Sequence, residues 1–269
     1  MNWNDPYKLP DTKLAEAAPR AAADRERAVA FFRNEYRRKL GTLTYEESYA
    51  CDWFPLQRRL ELEQTLEIAR GTAPRTIAYI GTSSCAGLYH WLKALPTVEA
   101  CIACDIYGFP CKDLFEDHWP LVKFLWLDSS SYHPFTVSLA RGWLRELGTS
   151  GRYARARTID CLYLDGDKGG FVDDWEAYTP LMSPEGLVFI HDICETTTGG
   201  NGNPRRCYML AKHEGYRTEE IVDMSEAEEA LGRQGEGLPV ANGYEEWLRH
   251  WGTTSCGVGV VYLGEKEDK

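Results

Sequence analysis

The sequence contains no apolar run approaching the roughly 18 residues that a membrane-spanning helix needs. Its opening stretch, MNWNDPYKLPDTK, has no apolar segment of the kind a secretory leader carries, so a cytoplasmic location and no membrane partner are expected. A G-x-G-x-x-G turn is also missing. The stretch from Gly81 to Gly87, GTSSCAG, has no middle glycine, which argues against hydride transfer from a nicotinamide. The nine cysteines follow no repeated spacing, and Cys101 and Cys104 form a lone CxxC inside the apolar run VEACIACDIY. Without a second CxxC they read as small buried residues in a reducing compartment, not as zinc ligands or a disulfide. Positive charge is scarce as well. The net charge is −11; residues 1–75 carry 13 Lys and Arg against 12 Asp and Glu, and the rest 17 against 29. Such a surface repels a phosphate backbone, so no nucleic-acid partner is expected. No internal repeat or low-complexity tract is visible.

What is present is enough for one sizeable core and a helical appendage: 269 residues, 43% of them hydrophobic. Residues Lys13 to Lys39 are rich in helix formers, with Pro19 as a break. The stretch PLQRRLELEQTLEIAR then places Leu56, Leu60, Leu62, Leu66 and Ile68 roughly along one helical face. Residues 1–74 are therefore read as a helical N-terminal cover, and residues 75–269 as the core. From Thr76 onward, continuous apolar runs alternate with amphipathic segments five times, the signature of a parallel sheet covered on both faces. YRTEEIVDM and CGVGVVYLG read as two more strands, separated by a glycine-broken insertion at about 225–252. No adequate crossover helix joins them, which suits an antiparallel pair at the sheet edge. The expected fold is α/β: a doubly wound, mostly parallel, seven-stranded Rossmann-like sheet with an antiparallel edge strand and N-terminal helices.

In such a sheet ligands bind where the strands end. The five expected ends are Gly81-Thr82-Ser83-Ser84, Asp105, Asp128-Ser129-Ser130, Asp165-Gly166-Asp167-Lys168 and His191-Asp192. Helix capping accounts for any one of them, but five polar ends on one rim suggest a site. Glycine and small hydroxyls at Gly81, Thr82 and Ser83 let backbone approach a ligand closely. Asp105, 24 residues after Gly81, suits the two hydroxyls of a ribose. Asp128 and Ser129 come next along the rim, where an adenine would sit. Asp165 and Asp192 end neighbouring strands, and two close carboxylates stay ionised cheaply only with a cation between them. Oxygen ligands favour Mg²⁺, Mn²⁺ or Ca²⁺ over zinc. His191 is either a further ligand or a core residue. Without a metal, Lys168 would pair with Asp165 or Asp167.

The segments IGTSS, CDIYG, LDGD and GLVFIHD, preceded by PLQRRLELEQTLEIAR, resemble the class I S-adenosylmethionine-dependent methyltransferases from about residue 55 to 264. Within that class the likeness is to the metal-dependent small-molecule O-methyltransferases, including the macrocin O-methyltransferase and cephalosporin-hydroxylase-like group. The resemblance implies S-adenosylmethionine and a divalent cation, Mg²⁺ first, as cofactors, and a hydroxyl of a small molecule as methyl acceptor. Gly81, Thr82 and Ser83 would cradle the methionine part, Asp105 the ribose, and Asp128 with Ser129 the adenine. Asp165, His191 and Asp192 would hold the metal. Lys168 completes an Asp-x-x-Lys arrangement similar to that of catechol O-methyltransferase-like enzymes, in which the lysine removes the acceptor proton; its own pKa is expected to be depressed by the bound cation. Three positions depart from the pattern: Tyr79 replaces an acidic residue before IG, Cys85 replaces a glycine, and His191 stands where an acidic ligand is usual. Tyr79 and Cys85 touch the methionine end and favour a rival reading, a non-catalytic domain that binds a nucleoside or a partner protein. The loop ETTTGGNGNPRR is a candidate lid, Arg205 and Arg206 are candidate partners of an acidic acceptor, and Tyr49, Trp53 and Phe54 are candidate pocket residues. Homo-oligomers built through the N-terminal helices are a further expectation from the resemblance.

Overall fold

The computed structural model describes residues 57–83, 85–109, 112–194, 204–222 and 257–266. The expected first-half helices, the insertion, the candidate lid residues 195–203, and Tyr49, Trp53, Phe54, Leu56 and Ser84 lie outside them. Helix α1 (Arg59–Gly71) leads into β1 (Thr76–Ile80), α2 (Ala86–Ala94), β2 (Ala100–Asp105), α3 (Lys112–His118) and β3 (Lys123–Asp128). Then follow α4 (Pro134–Thr149), β4 (Ile159–Leu164), α5 (Phe171–Tyr178), β5 (Met182–His191), α6 (Pro204–His213), β6 (Tyr216–Ile221) and β7 (Val258–Lys266).

The seven strands form one sheet in the order β3-β2-β1-β4-β5-β7-β6. Pairings among β1 to β5 are parallel. The antiparallel pair stands at the edge as expected: β7 is the reversed member, running between β5 and β6 and opposite to both. Every residue of β1 and β2 is buried, because helices cover both faces and leave no solvent side for a polar residue to occupy. One apolar layer gathers Leu62, Tyr79, Leu88, Trp91, Phe115, Tyr163 and Phe189. The other gathers Ile80, Leu144, Leu164, Phe171, Trp175 and Ile190. Each large side chain so enclosed stabilises the fold by about 1.5–3 kcal/mol.

Helix α1 follows its predicted apolar face only in part. Leu62, Leu66 and Ala69 are buried, Leu60 and Ile68 lie at the flanks, and Arg58, Glu61 and Thr65 are buried with the apolar residues. The polar members have a reason: Glu61 Oε1 accepts the Gly257 amide at 3.2 Å just before β7, so α1 is fastened by hydrogen bonding as well as by apolar contact. The lone CxxC is structural: Cys101 and Cys104 are buried in β2 as free thiols, each pushed up by burial. No helix among the described residues is long and apolar enough to cross a membrane.

Candidate active site

The parallel register brings the strand ends to one rim. Leu164 pairs with Ile190, so Asp165 and His191 leave their strands side by side. Asp192 then adopts a left-handed backbone, φ 61°, which turns its carboxylate back over the rim. Three of the four non-glycine residues with positive φ among the described residues are Ser83, Cys85 and Asp192, all at strand ends on this rim. Such conformations cost energy and persist where the surroundings impose them, commonly at sites.

Asp165 and Asp192 converge as predicted. Lys168 Nζ donates to Asp165 Oδ1 at 3.0 Å and is in contact with Asp192 Oδ2. His191 Nδ1 lies 2.9 Å from Asp165 Oδ1 and 3.3 Å from Asp192 Oδ1. His191 therefore faces the cluster, not the core, although its side chain is only 2% exposed. Lys168, at 28%, opens the cluster to solvent. Asp167 does not join it. Its Oδ1 accepts the Gly169 amide at 3.0 Å and its Oδ2 the Tyr132 hydroxyl at 3.4 Å, so it shapes the turn.

The electrostatics follow from these contacts. Burial alone would raise both carboxyls, but His191 and Lys168 outweigh it and hold Asp165 and Asp192 below the usual range. Burial would lower Lys168 and His191, but Asp165 and Asp192 outweigh it and raise both well above their ordinary values. This is the salt-bridged arrangement expected without a metal, with Asp165 and not Asp167 as the partner: two carboxylates face two cations, and Lys168 is an ammonium.

The donor set fits a small dication. Asp165, His191 and Asp192 each offer one ligand atom, all within 4.8 Å of one another. At 2.9 and 3.3 Å from the two carboxylates, His191 Nδ1 is near enough to share a small ion with them, and here it bonds to Asp165 directly. His191 Nε2 is buried and makes no hydrogen bond to the described residues, leaving one side of the ring unanchored. Lys168 competes for the same carboxylate oxygens.

The other half of the rim is built from main chain. Asp105 Oδ2 accepts the Ser83 amide at 2.7 Å and Oδ1 the Tyr107 amide at 2.8 Å, which fixes its carboxylate. Asp128 is level with Asp105 in register and exposed. Ser129 Oγ accepts the Thr136 hydroxyl at 3.0 Å. Thr82 Oγ1 is buried and without a hydrogen bond to the described residues, available to a ligand. Gly81, at φ 83°, is required by the fold itself: a Cβ there would lie 2.2 Å from the Asp165 carbonyl oxygen. Its amide is also taken, by the Cys104 carbonyl at 2.8 Å.

Tyr79, the departure at the methionine end, packs inward. Its ring stacks on Tyr163 at 4.7 Å, and its hydroxyl fills the place where a Cβ on Gly87 would lie, 2.2 Å away. Sequence reading missed the group that links this ring pair to the site. Gln57 Nε2 donates to Tyr163 Oη at 2.6 Å and Tyr79 Oη at 3.0 Å, and lies 3.5 Å from Asp165 Oδ2. It also missed Asp174 in the first turn of α5, a fully buried carboxyl that burial, above all, pushes up to about 8. Asp174 sits beneath the turn, 3.7 Å from where a Cβ on Gly166 would be. Arg205, a candidate partner for an acidic acceptor, is instead paired with Glu220 at 2.8 Å.

No family model matches the chain, and neither does any curated protein. Three solved structures are similar to it. An O-methyltransferase from Bacillus cereus in complex with SAH is 11% identical, covering 96% of this chain and 94% of that one, with a TM-score of 0.45. The O-methyltransferase TomG from Streptomyces achromogenes, involved in tomaymycin synthesis and in complex with SAM, is 14% identical over 90% of each chain, TM-score 0.47. The SAH-bound Podospora anserina methyltransferase PaMTH1 is 13% identical, covering 100% of this chain and 98% of that one, TM-score 0.42.

Proposed function

We propose that this chain transfers the methyl group of S-adenosylmethionine to a hydroxyl of a small molecule, assisted by a divalent cation. The observation that carries the reading is the meeting of Asp165, Lys168, His191 and Asp192 at the ends of β4 and β5. A buried-to-surface strand end gathers four ionised groups only at considerable desolvation cost, and a reacting hydroxyl with a cation gives that cost a use.

Bound at the rim, the cofactor supplies an electrophilic methyl on sulfur, and a dication on Asp165, His191 and Asp192 supplies the charge that acidifies a hydroxyl. The chain's own residues divide the remaining work. Asp105, already oriented by two amides, is the carboxylate that would accept the ribose hydroxyls. Thr82 offers its hydroxyl to the methionine end, and Asp128 and Ser129 border the adenine. Lys168 holds a proton at Nζ while both carboxylates bear on it. Once they are engaged elsewhere, burial favours the neutral amine, and Lys168 can take the acceptor proton.

Calorimetry with S-adenosylmethionine, with and without Mg²⁺, tests the reading. Binding is expected, weakened about tenfold or more by Asp105→Ala and retained in Lys168→Met. Absence of binding by the wild-type chain at millimolar ligand overturns it. One observation favours a second reading: the cluster is charge-balanced by Lys168 and His191 without any metal. On that reading the domain binds a nucleoside or a partner without catalysis, and binding would be indifferent to Mg²⁺.

A further inference from the structure

At the opposite end of the sheet from the rim, a concave groove of about 380 Å³ is lined by Arg141, Arg145, Arg157, Leu144, Thr158 and Leu181, among others. Its walls come from three places. Arg141, Leu144, Arg145 and Gly148 stand on one face of α4 at helical spacing. Arg157 and Thr158 lead into β4, and Pro180 and Leu181 lead into β5. Since β4 runs from here to Asp165, six strand residues separate the groove from the candidate active site, about 20 Å.

The charge here runs against the rest of the molecule. Residues 141–157 carry five arginines and one acid, Glu146, in a chain of net charge −11. Glu146 lies on another face of α4 from Arg141 and Arg145. Elsewhere on the surface Arg217 pairs with Glu219 and Glu265, and Arg205 with Glu220, whereas Arg152 rests on the Tyr153 ring. Arg141, Arg145 and Arg157 form no ion pair or hydrogen bond with the described residues. Gly148 makes the close approach possible, since a Cβ there would stand 3.0 Å from the Arg157 Cβ. Three arginines lining one concavity, with no carboxylate among its described lining residues, suit an anion with several oxygens, which guanidinium groups bind by paired N–H donors. The volume falls in the range of small-molecule sites, about 300–1,000 Å³. Thr158 adds a hydroxyl, the Thr149 hydroxyl being donated to the Glu146 carbonyl at 2.7 Å, and Leu144, Pro180 and Leu181 add an apolar floor.

We infer that this groove binds a small phosphate-bearing anion, held by Arg141, Arg145 and Arg157. It is a binding site and not a second reaction centre, because its described lining residues include no acid, thiol or imidazole. Nothing in this inference depends on the methyl-transfer reading.

Titration calorimetry on the full chain at low ionic strength tests it, with inorganic pyrophosphate, inorganic phosphate and phenyl phosphate as probes. Pyrophosphate is expected to bind, and Arg145→Gln to weaken it about tenfold, the loss of one charge-assisted hydrogen bond. The three arginines changed together to glutamine should abolish it. All three side chains are exposed, so the variants should keep the wild-type unfolding temperature. The paired variant Arg152→Gln/Arg155→Gln removes two neighbouring charges outside the groove and should leave binding intact. Equal loss in that variant means diffuse charge and overturns the site, as does failure of the wild-type chain to bind pyrophosphate. Phenyl phosphate binding tighter than inorganic phosphate assigns the groove to an organic phosphate resting on the apolar floor; equal binding assigns it to the free anion.

Discussion

The two halves of the rim hold their carboxylates by different means. At the ends of β2 and β3, Asp105 is fixed by backbone amides of Ser83 and Tyr107. At the ends of β4 and β5, Asp165 and Asp192 are held by the side chains of Lys168 and His191. Main-chain donors cannot titrate or move without the fold, so the first half is a rigid receptor. Side-chain cations can exchange partners, so the second half is the adjustable one. On the proposed reading, the rigid half would hold the nucleoside and the responsive half the reacting hydroxyl.

The two halves meet at Gly81, and the largest expected effect comes from separating them there. Gly81→Ala drives a methyl into the Asp165 carbonyl and demands a left-handed backbone of alanine. It should cost about 4 kcal/mol, at the exceptional end for one substitution, measured by chemical denaturation. Lys168→Met tests the adjustable half. It leaves two carboxylates against one imidazole and should lose about 3 kcal/mol at pH 7. Because the competing ammonium is gone, Mg²⁺ should restore part of the unfolding temperature; no Mg²⁺ response would remove the cation from the account.

Asp174 isolates what burial does without a paired cation. Its folded pKa, about 8, lies above the unfolded carboxyl value. The folded state then binds the extra proton, so stability is fully present below about pH 4 and is lost as pH rises through about 8. Asp174→Asn should therefore stabilise the chain by about 2 kcal/mol at pH 8 and by nearly nothing at pH 4. A pH-independent gain would show that the carboxyl is ionised throughout. The smallest effect belongs to the rigid half. Asp105→Asn keeps one acceptor but turns an amino group toward a backbone amide, costing about 1 kcal/mol. The same variant should weaken S-adenosylmethionine more than it weakens the fold.

Much of the fold was legible because buried parallel strands announce themselves. Runs such as CLYL and VFI are apolar without alternation, and each ends on a polar residue at the rim. The convergence of Asp165 with Asp192 followed from strand adjacency. What could not be read depends on distance in sequence. Gln57 lies 106 positions from Tyr163 and 108 from Asp165, and nothing in its own neighbourhood marks it as a partner of either. The second partner of Lys168 was likewise a matter of geometry: its pairing with Asp165 follows from their i,i+3 spacing, but that with Asp192 depends on how near the end of β5 comes. Arg58 and Glu61 stand where the apolar periodicity of α1 expects surface, and are buried because that end of the helix meets Gly257. The arginines of α4 were visible in the sequence as a run, but only the docking of the β4 and β5 entrances beside the helix makes them a concavity.

The position of β7 has a consequence for how the molecule comes together. Among the described residues, strand β6 has no neighbour in the sheet except β7, and β7 is the later of the two in the chain. During synthesis β6 must therefore wait, unpaired, until Val258 to Lys266 emerge and slot in beside β5. Until then the outer edge of β5, including His191 opposite Val258, is bare. A ribosome-stalled or nicked chain lacking these last residues would present two open strand borders at once, and that intermediate is the form most exposed to wrong pairing.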